Sequence, residues 1–343
     1  MSQLPIFSFL RGLMELDSTS GQEGEAARFV ADHLRAVGGW EVELWPVEAD
    51  RFNVYARRGA PQVVLSTHLD TVPPYLPWRE DAATIYGRGA CDAKGIVAAQ
   101  VFAAQELAAE GISDIGLLFV VGEERSSAGA IAANRKAPGS RFLINGEPTE
   151  SRMIRAAKGA LRVDLRARGR AAHSGYPELG RSAIEALLAA IARLNALELP
   201  TNDVLGATTI NVGTIAGGRA PNVVADEARA ELLIRLVEDA APLRQKIREA
   251  AGDLVEADFV LEIPPIHLRT LPGFATGVVA FATDIPKLEA WGEPLLFGPG
   301  SITVAHTSEE RLAKRELLDA VGSYAGIARQ LLAVPFRPPQ VGG

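Results

Sequence analysis

Short apolar runs alternate with helical periodicities through the first 150 residues, and this alternation limits the fold more than any other feature. Apolar positions Phe7, Leu10, Leu13 and Met14 recur at helical spacing. A second helix is expected over 23–37, ended by Gly38-Gly39. Strand-like runs follow at 41–46, 53–56 and 63–67. An alanine-rich helix is expected over about 95–110, then buried strands at 116–121 and 142–144. Strands interleaved with helices point to an α/β sheet with a large parallel component.

The middle of the chain changes character. Strand patterns at 160–169, 207–215, 223–236 and 257–263 are interleaved with helical patterns at 180–197 and 240–251. The order is β-α-β-β-α-β, the split-βαβ arrangement of a small independent sandwich. From about 266 mixed α/β character returns, with a strand at 295–297 and a closing helix at 315–332. The expectation is a mixed-sheet α/β domain of residues 1–158 and 266–343. A ferredoxin-like domain of residues 159–265 interrupts it, with Pro264-Pro265 as return hinge.

A chain of 343 residues has room for two such domains. Its net charge of −7 argues against a general nucleic-acid binder, because no excess of Lys and Arg is available to neutralise phosphates. A local arginine can still hold an acidic group. The single cysteine, Cys91, excludes an intrachain disulfide. Residues 1–17 do not read as a signal peptide, and the densest apolar run, 115–121, is too short to span a bilayer. A cytoplasmic protein with a reduced thiol and no membrane partner is expected.

In open α/β sheets functional groups collect beyond the carboxyl ends of strands. Four acid or histidine clusters follow that rule. The run 63–67 leads into His68 and Asp70, 117–121 into Glu123 and Glu124, and 142–144 into Glu147; 295–297 leads through Gly298-Pro299-Gly300 to His306. A fifth stretch, Gly87-Arg88-Gly89-Ala90-Cys91-Asp92-Ala93-Lys94-Gly95, sets Asp92 before the alanine-rich helix. Singly, each has an ordinary reading: a core histidine, a solvated turn, a surface acid, an N-cap. Together, two imidazoles and several carboxylates at one sheet edge concentrate charge that divalent cations would relieve. Oxygen and imidazole donors suit Zn²⁺, and also Co²⁺ or Mn²⁺. In His68-Leu69-Asp70 the aspartate can accept the second ring N–H and fix the tautomer.

The strings His68-Leu69-Asp70-Thr71-Val72-Pro73, Gly87 to Gly95, Gly122-Glu123-Glu124, Gly146-Glu147-Pro148-Thr149 and Ala305-His306-Thr307 resemble, in order, those of a known family. It comprises acetylornithine deacetylase, succinyl-diaminopimelate desuccinylase, aminoacylase and carboxypeptidase G, which are di-zinc metallopeptidases and deacylases. The likeness covers essentially the whole chain and implies a metallopeptidase catalytic domain carrying a lid and dimerisation domain. By it, Asp92 bridges two metals, His68 and Glu147 complete one site, and Glu124 and His306 the other. Asp70 orients a ligand, and Glu123 is the catalytic base. Spacing alone neither assigns the bridge nor separates Glu123 from Glu124.

The implied chemistry is metal-dependent hydrolysis of an amide in an N-acyl amino acid or short peptide. The resemblance implies that Glu123 takes the proton of a metal-bound water, that the resulting metal-bridging hydroxide attacks, and that Glu123 delivers the proton to the leaving nitrogen. In the inserted domain, Ala172-His173-Ser174-Gly175 resembles the family's lid histidine, which reaches the partner subunit's site in a homodimer and meets the developing oxyanion. Asn222, in Gly217-Gly218-Arg219-Ala220-Pro221-Asn222, resembles a substrate contact. Arg235 reads either as a surface arginine, opposite Ala230, Leu232, Ile234 and Leu236, or by resemblance as a clamp for the substrate's α-carboxylate. Cys91 has no free His–acid pair to activate it and departs from the small or hydroxyl residue usual there. Ser308-Glu309 departs from the family's Pro then Asp or Asn. His33 and His267 fit no motif.

The stretch from Gly298 to His306 looks most like the acetylornithine and lysine/ornithine-releasing branch. Aminoacylase, dipeptidase or carboxypeptidase activity is the alternative. A non-catalytic, metal-stabilised binding protein is a further one, and Glu123 beside a complete ligand set argues against it. A nucleotide-binding protein is disfavoured because no Gly-rich phosphate fingerprint follows a first strand.

Overall fold

The computed structural model describes residues 4–335. They form two compact units. The larger comprises the chain up to Arg155, Leu268–Gly277, and the chain from Thr283; the smaller comprises Ala156–His267 and Val278–Ala282.

The larger unit is built on a mixed sheet. Its strands run in the order Glu41–Glu48, Arg51–Arg58, Ile115–Val120, Val63–His68, Phe142–Asn145, Glu293–Leu296 and Met153–Ala157. Val63–His68 lies parallel to both Ile115–Val120 and Phe142–Asn145, and Phe142–Asn145 parallel to Glu293–Leu296. The first three strands in the order are antiparallel neighbours. The central strands are buried along their whole length, which is why they read as continuous apolar runs rather than alternating ones. Their side chains still divide by parity. Leu65, Leu117 and Phe119 join the core with Leu10, Leu34, Val97 and Tyr324, while Val64, Leu118 and Val120 pack on the other face with Trp45, Tyr55 and Trp291. Helix Lys94–Ala109 is alanine-rich and buried nearly all round, so it packs closely between the sheet and helix Lys314–Leu332.

The smaller unit is a four-stranded antiparallel sheet in the order Thr209–Gly217, Glu227–Leu236, Gly159–Arg168, Val255–Ile263. Helices Ala183–Asn195 and Ala241–Ala251 cover one face. Leu161, Val163 and Leu165 point at that layer with Leu232, Ile234 and Leu236, meeting Leu187, Leu194, Leu243 and Ile247. Arg162, Arg166 and Arg168 stand on the opposite, exposed face. Thr209–Gly217 is a largely exposed edge strand.

The α/β mixed sheet with an inserted β-α-β-β-α-β unit is the expected fold. Local bounds differ where capping or loop pairing decides. The helix expected from 180 starts at Ala183, because the Ser182 side chain caps it by accepting the Glu185 N–H at 3.2 Å. The strand expected from 223 starts at Glu227, because the main chain of 223–226 bonds to the 169–183 segment instead: Val223 bridges His173, the Val224 N–H donates to the Ala172 carbonyl at 2.9 Å, and the Ala225 carbonyl accepts the Ala183 N–H at 2.7 Å. Helix Ala128–Asn134 and strand Met153–Ala157 are short elements the periodicity did not reveal. Among the described residues no helix is long and apolar enough to cross a membrane.

Candidate metal centre

Parallel register gathers the strand-end clusters at one edge of the large sheet. His68 pairs with Val120, and Ser66 and Leu296 both pair with Asn145, so the residues after each strand emerge side by side. There His68, Asp92, Glu123, Glu124, Glu147 and His306 converge. His68 Nε2 lies 3.0 Å from Asp92 Oδ1 and 3.9 Å from Glu147 Oε2. His306 Nε2 lies 3.2 Å from Asp92 Oδ2 and 3.0 Å from Glu124 Oε1. Each oxygen of Asp92 therefore faces a different imidazole, and each imidazole faces a further carboxylate. Ligand atoms of His68, Asp92 and Glu124 all lie within 4.8 Å of one another. His306 adopts a left-handed backbone, φ 63°, unusual outside glycine.

Electrostatics here are those of a crowded acid cluster. Burial, then Glu147 and Asp284, push the Glu123 carboxyl well above its usual range. Burial also drives Glu147 up, with Asp92 and Glu124 adding to it against His68. Asp92 is held low despite its burial by His306 and His68. Asp92 and Glu124 in turn raise His306 to about 10. Imidazoles facing carboxylates, beside acids forced towards protonation, form a donor set that divalent cations fit. The cations would replace the imidazole protons and relieve the acid crowding.

Asp70 departs from its expected contact. The second ring nitrogen of His68 meets the main-chain carbonyl of Asp70 at 2.9 Å, while the carboxylate stands 3.5 Å away. That carboxylate accepts the N–H groups of Glu123 at 3.0 Å and Glu124 at 3.2 Å, and the Ser20 hydroxyl at 2.7 Å. It thus braces the turn carrying Glu123 more directly than it braces the imidazole.

Three other residues have no counterpart in the sequence reading. Glu310 is buried and joins Arg88 to the peptide N–H groups of Cys91 and Asp92. Asp284 is buried near Glu123, its carboxyl raised to about 6 by burial, and neither oxygen has a well-formed hydrogen bond. Ser20 reaches Asp70 across fifty positions. Glu310 had one available signal, its place four residues after His306; the other two had none. The Cys91 thiol is buried, and that burial, then Glu310, pushes its pKa well up, which disfavours the thiolate.

In the smaller unit His173 and Asn222 share one loop pair. The Ser174 N–H donates to the Asn222 carbonyl at 3.0 Å, and His173 pairs with Val223. His173 Nδ1 accepts the Gly175 N–H at 3.0 Å, so the neutral ring carries its proton on Nε2. Arg235 lies apart from them. The loops join the sheet at Glu227, and Arg235 stands eight positions along the same strand, roughly 25 Å away at strand rise. It is half-buried, which lowers its pKa, and has no ion pair among the described residues.

Residues 155–258 match the family model of a peptidase dimerisation domain. A peptidase M20 domain-containing protein of Schizosaccharomyces pombe is 41% identical, covering 93% of this chain and 83% of its own. A probable carboxypeptidase of Aspergillus clavatus is 40% identical, covering 96% and 83%. Among solved structures, a tripeptidase from Staphylococcus aureus superposes with a TM-score of 0.81 at 21% identity, covering 95% of this chain and 97% of that one.

Proposed function

Because this chain belongs to the M20 peptidase family of metal-dependent amide and peptide hydrolases, we propose that it releases an amino acid from an N-acyl or peptidyl precursor, using two divalent cations. The observation that carries this reading is Asp92, whose two oxygens face two different imidazoles with Glu123 alongside. His68 and Glu147 would hold one cation, Glu124 and His306 the other, with Asp92 between them. Zinc is the cation favoured by the donors, with cobalt or manganese as substitutes. When bound, the pair supplies Lewis acidity: it polarises the scissile carbonyl and makes water a better nucleophile at neutral pH.

The protein's own groups do the rest. Glu123, tethered through its peptide N–H to Asp70, takes the water's proton and delivers it to the leaving nitrogen, which an amide requires. Arg235 holds the substrate's α-carboxylate, and Asn222, which shares a loop pair with His173, contacts the substrate together with that histidine. His173 offers Nε2–H to the oxyanion. Arg235 stands roughly 25 Å along its strand from Glu227, where the loops of His173 join the sheet, so in this reading the two serve one substrate from different subunits. That separation supports a homodimer in which His173 acts at the partner's metals. The exposed edge strand Thr209–Gly217 and the matched dimerisation model support it as well. In this reading residues 159–265 form the lid and dimerisation domain, and 1–158 with 266–343 the catalytic domain.

N-acylated amino acids, of the acetylornithine or lysine/ornithine-releasing kind, are the first substrates to consider. The relatives named as probable carboxypeptidases favour a second reading, release of a C-terminal residue. Both substrates are an amide beside a free α-carboxylate. The test is a panel of N-acetyl and N-succinyl amino acids, dipeptides and blocked C-terminal peptides, assayed for released amino acid with metal-stripped and zinc-reconstituted protein. Metal-dependent release from at least one α-carboxylate substrate is expected, lost when that carboxylate is amidated. Two bound equivalents without hydrolysis of any member would instead support the metal-stabilised binding protein.

A further inference from the structure

The geometry points to Glu310 as a positioning residue that couples the two halves of the metal centre. It is 1% exposed and sits on no ligand. Its Oε2 meets Arg88 Nη1 at 2.6 Å, and its Oε1 accepts the N–H groups of Asp92 at 3.2 Å and Cys91 at 3.3 Å. Both oxygens are therefore committed, and Glu310 is not itself a metal ligand. The loop it grips is the one that presents Asp92.

Arg88 carries the link onward. The nitrogen that holds Glu310 also donates to the carbonyl of Thr307 at 3.2 Å, next to His306. Its Nε donates to the Pro74 carbonyl at 3.3 Å. One buried charge pair thus fixes the loop of Asp92 and the loop of His306 in a single register. The base of the two loops is secured separately. Arg311–Ala313 pairs with Thr84–Tyr86, and the Gly87 N–H donates to the Glu310 carbonyl at 3.1 Å. Those bonds are main-chain and survive a change of the Glu310 side chain.

An asymmetry follows, resting on the two-metal reading above. In the site made by Asp92, Glu124 and His306, two of the three ligands sit on loops that Glu310 and Arg88 fix. In the site made by His68, Asp92 and Glu147, only Asp92 does. An isosteric amide at 310 keeps one acceptor oxygen but turns an NH2 towards either the Arg88 guanidinium or the two peptide N–H groups. The loops lose their common register, and the His306 side loosens more than the His68 side.

The experiment is calorimetric titration of the metal-stripped, full-length protein with Zn²⁺ alone. Glu310→Gln is placed in two backgrounds: Glu147→Ala, where the His306 side remains, and His306→Ala, where the His68 side remains. We expect zinc affinity to fall by about 10–100-fold in the first and by less than about tenfold in the second, the range typical for groups that orient ligands. A merely structural contribution would lower thermal stability and weaken both sites alike. Equal loss, no loss, or the reverse order overturns the assignment. Arg88→Lys, which keeps a cation for Glu310 but cannot reach Thr307 and Pro74 together, should show the same asymmetry and decides the matter if Glu310→Gln does not fold; failure of both to fold overturns the assignment too. Wild-type protein binding fewer than two equivalents would overturn the two-metal reading, whereas two equivalents with Glu310→Gln unchanged would overturn this inference alone.

Discussion

Replacing Asp70 by asparagine separates two jobs: fixing the His68 ring and bracing the turn that carries Glu123. The Asp70 carboxylate accepts three hydrogen bonds: Glu123 N–H on Oδ1, and Glu124 N–H and the Ser20 hydroxyl on Oδ2. Asparagine offers one acceptor oxygen and one NH2 donor. With its oxygen at the Oδ2 position the Glu123 N–H faces a donor; turned round, the Glu124 N–H does. One peptide N–H in the 122–124 turn is left unsatisfied either way, at a cost of about 1–3 kcal/mol. The His68 ring keeps its 2.9 Å contact to the Asp70 main-chain carbonyl, so its tautomer survives. Asp70→Asn should therefore unfold about 1–3 kcal/mol more easily in equilibrium denaturation of the metal-free protein. If that loss is expressed in the transition state through a displaced Glu123, kcat falls roughly 5- to 150-fold while KM changes little. The assay is steady-state hydrolysis of the best panel substrate, with zinc content measured on the same samples. Wild-type kcat in Asp70→Asn would refute the bracing argument. A loss of kcat that simply tracks loss of zinc would also refute it, since the aspartate would then be acting through His68.

Three further outcomes are expected. Glu123→Gln should keep its zinc and its fold yet lose on the order of 10²-fold or more in kcat, as for a removed general base; undiminished turnover at full metal content would reassign the base. His173→Ala should cost about 3–4 kcal/mol of transition-state stabilisation, and mixing it with Glu123→Gln chains should restore activity in hybrid sites; no recovery despite demonstrated subunit exchange would exclude donation across the dimer. Metal uptake should release protons, because Asp92 and Glu124 hold His306 charged up to about 10 in the metal-free protein, so zinc affinity should climb as pH rises from acid to neutral. The sign for the metal-free fold is opposite: a pKa raised above 6.5 contributes stability that is complete below that value and lost as pH rises through about 10. Calorimetry in two buffers of different ionisation enthalpy measures the released protons, and a titration heat independent of buffer would contradict the prediction.

The larger features were legible because they are local in the chain. A buried parallel strand is a short apolar run, and the rule that function collects at its carboxyl end led to His68, Glu123, Glu124, Glu147 and His306, which the fold does bring to one edge. The inserted unit announced itself by a change of periodicity between 160 and 263. Short elements did not: Ala128–Asn134 and Met153–Ala157 are too brief to establish a period. The ladder pairing of Arg311–Ala313 with Thr84–Tyr86 was also invisible, since neither segment carries an apolar pattern of its own.

The sequence by itself determined the fold class, the family likeness and the residue types of the candidate centre, each encoded in spacing of a few residues. Tertiary structure alone decided which group holds which. It gave the His68 ring to a main-chain carbonyl rather than to the Asp70 carboxylate, and set Ser20 on that carboxylate. It also tied Asp92 to Glu310 over 218 positions of chain. The physical reason is that hydrogen bonds and ion pairs are satisfied by whatever donor the folded chain brings within about 3 Å, and that distance carries no trace in the local order of residues.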